Sequence, residues 1–69
     1  MIIVGNTTAT LNNYLVDISK SFITSGVISG QIVHNIVNNT YANITNVAPT
    51  DLTLDADIFI SGDVYEIKN

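Results

Sequence analysis

The chain has 69 residues, no cysteine, one histidine, and a net charge of −4 from six acids and two lysines. Disulfides are therefore excluded, a structural zinc site has too few ligands, and the basic face that a nucleic-acid binder needs against phosphates cannot be built. An anionic membrane surface is disfavoured on the same ground.

A chain this short buries only roughly 60% of its unfolded surface. Domains of this size commonly draw extra stability from staples or partners. With disulfides and zinc excluded, association is the expected source. Eleven Ile, seven Val and eight Thr outnumber four Leu and four Ala. β-branched residues lose rotamer freedom in helices and pack well on pleated sheets, so composition points to β structure. Nine Asn and eight Thr leave a surface that is polar with little charge.

In chain order, Ile2-Ile3-Val4 predicts a short strand or a docking arm, broken by Gly5-Asn6. The run is too short for a signal segment, so synthesis in the cytoplasm is expected. Leu11 to Asp17 ends in a predicted strand, with Asn12-Asn13 as turn or bulge. Residues 19–24 suit one short helical turn, capped by Asp17 or Ser19 and burying Phe22. The apolar spacing at 14, 15, 18, 22 and 23 leaves a full helix over residues 14–24 as the rival. Gly26 and Gly30 bracket a compact loop.

Gln31 to Val37 predicts a strand apolar on both faces, Ile32 and Ile36 on one, Val33 and Val37 on the other. Such a strand is central or covered by a partner. Asn38-Asn39 predicts a hairpin turn. Thr40 to Val47 returns antiparallel, with Ala42 and Ile44 inward and Tyr41, Asn43 and Thr45 outward. Val47 falls out of that alternation, which places a bulge near Asn46. Ala48-Pro49-Thr50 is a turn, because Pro49 cannot sit in a central strand. Leu52 and Leu54 mark one further strand and Val64 to Lys68 another. A tight connection at Ser61-Gly62-Asp63 is expected to join them, with Ile58-Phe59-Ile60 buried. The prediction is one domain over residues 1–69, with residues 1–6 as an N-terminal arm. Its fold is all-β: a small SH3-like barrel or half-barrel of five to six short antiparallel strands.

No constellation carries chemistry. His34 has no nucleophile or carboxylate supplied by a motif, so it is expected on a strand surface. Asp55 and Asp57 are the only candidate metal ligands. Calcium takes six to eight oxygens, and this loop lacks the glycine and terminal glutamate of an EF-hand. Hydrogen bonds from these carboxylates to backbone amides are the plainer expectation. No catalytic residue and no cofactor are assigned. The interface candidates are Ile2, Ile3, Val4, His34, Ile36 and Tyr41.

Several ordered pieces carry a resemblance. They are Leu15-Val16-Asp17, Phe22, Gly26-Val27, Gly30, Ile32-Val33 with Asn35, and Thr40-Tyr41-Ala42. Ile44, Val47, Leu52-Thr53-Leu54, Asp57-Ile58-Phe59, Gly62-Asp63 and Tyr65-Glu66-Ile67 complete the set. Together, over about three quarters of the chain, they resemble a small β module of phage virion structural proteins. Gln31 and Asn38-Asn39 depart from the acid and the Asp-Gly turn common there. The resemblance implies a structural part with no enzymatic activity. A freestanding copy is similar to capsid decoration, or cement, proteins. It implies a place on the capsid surface of a virion, with the major capsid protein and copies of itself, as trimers, for partners. A tail, neck or fibre-attachment component is the alternative. A small glycan- or host-surface-binding module is a further one.

Overall fold

In a computed structural model, described here over residues 2–68, the chain is all-β. It forms β1 (Ile2–Asn6), β2 (Tyr14–Val16), β3 (Ile32–Asn35), β4 (Thr40–Val47), β5 (Asp51–Leu54) and β6 (Val64–Lys68). They make one antiparallel sheet in the order β1-β6-β3-β4-β5-β2.

β4 holds the two halves together. Its first half, Thr40–Asn43, pairs with β3, and its second half, Ile44–Val47, pairs with β5. The register shifts between Ile44 and Asn46, the bulge expected from Val47. A bulge bends its strand and increases local twist, so the two half-sheets curl over a shared core. Ala42 and Ile44 point inward as expected, joined by Leu15, Val33, Leu52, Leu54 and Ile67. Tyr65 lies at the centre. Phe22 and Phe59 meet its ring edge-on, each with centroids 6.3 Å away, the geometry favoured by the aromatic quadrupole.

The structure corrects several sequence expectations. Of the two readings of the first residues, a short strand or a docking arm, the strand is the one formed, so residues 2–6 are part of the sheet. They form β1 on β6, and the strand runs through Gly5-Asn6 without a break; Met1 lies outside the described residues. β5 and β6 are not a tight hairpin, for β6 lies between β1 and β3. The nonapeptide from Asp55 to Asp63 crosses from one to the other without strand structure. Its Phe59 is buried but Ile60 is exposed. The β3 strand stops at Asn35, and Val37 is exposed in the turn. Its inward residues are Val33 and Asn35, so one inward position is polar where Val37 was expected to extend an apolar face.

The sheet is open, so the barrel is not established. The β2 edge is nonetheless covered: Ala9 bridges Val16, and the Thr8 amide donates to the Val16 carbonyl at 2.7 Å. The helical turn reduces to one i+4 bond, from the Ser25 amide to the Ser21 carbonyl at 3.0 Å. No helix forms over residues 14–24. Residues 14–16 are spent on β2, and the Asp17 carboxylate accepts from the Ser19 amide and hydroxyl at 3.0 and 2.6 Å, turning the chain.

Asn39, with φ 57°, makes the expected turn after β3, as asparagine tolerates this region. Gly62 takes φ 92° in the turn closed by the Asp63 amide on the Ile60 carbonyl. A Cβ is disfavoured at that position of a type II turn.

Candidate functional site

The most distinctive surface is the outer face of β1, β6, β3 and β4. Successive side chains on a strand alternate between faces, so the register decides which residues meet. One cross-strand row holds Ile2, Lys68, Ile32 and Asn43. The next holds Val4, Glu66, His34 and Tyr41. Ile36 follows His34 past the end of β3, its amide donating to the Val64 carbonyl at 3.0 Å.

Five of the six interface candidates therefore share one face: Ile2, Val4, His34, Ile36 and Tyr41. Ile3 does not. It points the other way and packs against the core. Reading the strands separately missed Ile32, Glu66 and Lys68 as members of this face. The alternation that turns Glu66 and Lys68 away from the core was legible. The β1-β6-β3 neighbour order that sets them beside His34 was not.

The face is mixed: Ile2 and Val4 stand on one side of Lys68 and Glu66, Ile32 and Tyr41 on the other, with His34 and Asn43 completing the rows. Ile2, Val4, Ile32 and Tyr41 are 62%, 48%, 50% and 60% exposed. The His34 and Tyr41 rings stack at 4.2 Å, 6° from parallel. His34 Nε2 lies 2.9 Å from Asn39 Oδ1, so the tautomer protonated on Nε2 donates there. Lys68 Nζ and Glu66 Oε1 are 3.3 Å apart. Gly30, Gln31, Ile32, His34, Tyr41, Glu66 and Lys68 line an open groove of about 480 Å³. Such a face can stack on planar groups, bury apolar side chains and offer hydrogen bonds at its rim.

The two metal candidates stand elsewhere and serve the loops. Asp55 accepts from the Asn43 amide and side chain, both at 2.8 Å. The Asn43 side chain, followed by its amide, holds the Asp55 carboxyl below the usual range. Asp57 accepts from the Asn13 amide at 3.2 Å. Among the described residues no three His, Cys, Asp or Glu side chains are grouped to hold a metal ion.

Two buried polar pairs fix the surface from beneath. The Tyr65 hydroxyl donates to Asp17 Oδ2 at 2.6 Å. The Asn35 side-chain amide donates to Asp63 Oδ2 at 2.9 Å and to the Ile58 carbonyl at 2.7 Å, while its oxygen accepts from the Val37 amide at 3.0 Å. Asn35 thus ties the end of β3 to the loop before β6 and holds the outer rows in register. No protein-family model, curated protein or solved structure matches the chain.

Proposed function

We propose that this protein is a non-enzymatic virion structural subunit, a head decoration protein that binds the outer capsid lattice and stabilises it. The observation that carries the reading is the set of exposed apolar side chains on one sheet face of so small a domain, Ile2 and Val4 on one side and Ile32 and Tyr41 on the other, with Lys68 and Glu66 between them. Exposed apolar side chains grouped with polar neighbours on one face mark an interaction site. The major capsid protein is the proposed partner on that face. Many copies, each burying a modest area, add stability to a shell by mass action. The resemblance to virion β modules supports the same reading.

The test is co-sedimentation with capsids purified without this protein. Wild type should bind to saturation and raise the shell's melting temperature. Ile32→Glu and Tyr41→Glu, both at exposed positions, should fold yet fail to bind. Wild-type protein that never binds such capsids refutes the head reading, and labelling whole particles for electron microscopy then tests a tail or neck site.

A second reading has its own observation. The stacked His34–Tyr41 pair beside Glu66 and Lys68 offers an aromatic plane with hydrogen-bonding groups at its rim, chemistry that suits a sugar ring. Chemical-shift changes at these residues on titration with oligosaccharides would favour the glycan-binding function.

A further inference from the structure

We propose that β1 is a self-recognition edge: two copies pair antiparallel, β1 against β1, about a two-fold axis at Val4. This inference stands independently of the virion reading, because it rests on backbone geometry.

Each edge of a sheet presents unpaired backbone donors and acceptors. The β2 edge is already met by Thr8 and Ala9. Among the described residues no strand lies on the far side of β1. Its ladder fixes which backbone groups are free. The Thr7 amide donates to the Asp63 carbonyl at 2.9 Å, so 7 and 63 form a hydrogen-bonded pair. Antiparallel pairs alternate in this respect, and the register then assigns Gly5–Tyr65 and Ile3–Ile67 to the hydrogen-bonded set. The Ile36 amide on the Val64 carbonyl gives the same parity from the other side of β6. The N–H and C=O groups of Ile2, Val4 and Asn6 therefore point away from the sheet.

This parity selects the partner's register. A two-fold centred on any residue of β1 sets free groups against free groups, but a centre at Ile3 or Gly5 pairs only two of the three free residues. A centre between residues would oppose free groups to used ones. A centre at Val4 pairs Ile2 with Asn6 of the second copy, Val4 with Val4, and Asn6 with Ile2. All three pairs present free donors and acceptors, and Val4 gives the longest overlap of the permitted centres.

Side chains agree with the backbone. The row Tyr41, His34, Glu66, Val4 continues across the axis as Val4, Glu66, His34, Tyr41 of the second copy, giving one unbroken outer face. The edge also lacks the devices that natural sheets use against such pairing. Residues 2–6 contain no lysine, no proline and no charge, and charged or proline residues are the usual guards. A foreign strand would find the same free groups. A second copy is favoured because the register is its own complement. One strand pair and its flanks bury less than the roughly 800 Å² per partner of a stable complex, so the dimer is concentration-dependent.

The test is sedimentation equilibrium of the full chain up to roughly 1 mM, the range of weak interactions. Wild type should show reversible monomer–dimer exchange. Val4→Pro removes only an outward N–H, which an edge strand tolerates, and should weaken dimerisation by at least about tenfold. Val4→Lys keeps the backbone but sets two like charges face to face at the axis, and should do the same. Circular dichroism of both variants checks that the monomer stays folded. Wild type that remains monomeric throughout overturns the proposal, as does dimerisation that persists in folded Val4→Lys.

Discussion

Tyr65 and Asp17 hold each other in the interior, hydroxyl to carboxylate at 2.6 Å, with the Gly5 backbone resting on the pair. Gly5 lies opposite Tyr65 in the β1–β6 ladder. A Cβ at position 5 would sit 2.8 Å from both Asp17 Oδ2 and the Tyr65 hydroxyl oxygen. The glycine is there because the hydrogen bond occupies the space a side chain needs.

Gly5→Ala should therefore destabilise the fold by about 1–3 kcal/mol, the usual cost of overpacking. For a domain of this size that is several degrees in Tm per kcal/mol. Thermal unfolding checks it. An unchanged Tm would mean that the buried pair moves aside freely.

The same pair sets the pH limits. Burial pushes the Asp17 carboxyl up, but hydrogen bonds from the Ser19 and Tyr65 hydroxyls outweigh it and hold the group below its ordinary 3.8. A carboxylate depressed in the folded state stabilises fully above its unfolded value. That stability is lost as pH falls through the folded value, so the loss should begin below about pH 4. Tyr65 shifts the other way: burial, then the hydrogen bond to Asp17 and its charge, raise it far above its ordinary 10.0. Its contribution is complete below about pH 10 and fades as pH rises beyond it. Urea unfolding across pH should show both limbs. Tyr65→Phe should remove the alkaline one and shrink the acid one.

Asn35→Ala should cost about 2–4 kcal/mol, because it leaves the Ile58 carbonyl, the Asp63 carboxylate and the Val37 amide without their buried partner. That is a large share of the stability of a domain this small. Urea unfolding would measure it, and hydrogen exchange should show the loop from Asp55 to Asp63 opening first. A variant as stable as wild type would mean that water replaces the side chain.

Phe59→Ala should cost about 3–5 kcal/mol, the range for removing a buried aromatic ring. Phe59 is 3% exposed and meets Tyr65 edge-on. A soluble, cooperatively folded variant of undiminished stability would show that this end of the core repacks without it.

The strands read best from sequence were those whose alternation is strict. Thr40–Val47 came out with its inward and outward residues and its bulge, and Val64–Lys68 with its bounds. Period-two patterning reports burial of single strands, and there it was clear. It does not report neighbours. Nothing local in Leu52–Leu54 or Val64–Lys68 says that they lie apart in the sheet. Nothing local in Ile2–Asn6 says that it pairs with β6 rather than with a partner. Asn35 misled for a related reason. Within the predicted Gln31–Val37 strand nothing local marks this asparagine as buried until Asp63 and Ile58, distant in sequence, are seen to satisfy it. The outer face was legible in Ile2, Val4, His34, Ile36 and Tyr41, and its arrangement in rows was not.

The position of β6 between β1 and β3 has a kinetic consequence. The strand that comes last in chain order joins its two neighbours, so neither half of that region can zip before it. Until then, β1 has no partner and β3 has only β4. Contacts this far apart in sequence make folding slow relative to helical domains of equal size. The nascent chain therefore exposes open strand edges until residues 64–68 have left the ribosome. A chain ending at Asp63 should show no cooperative unfolding transition, and it should aggregate where the whole chain refolds.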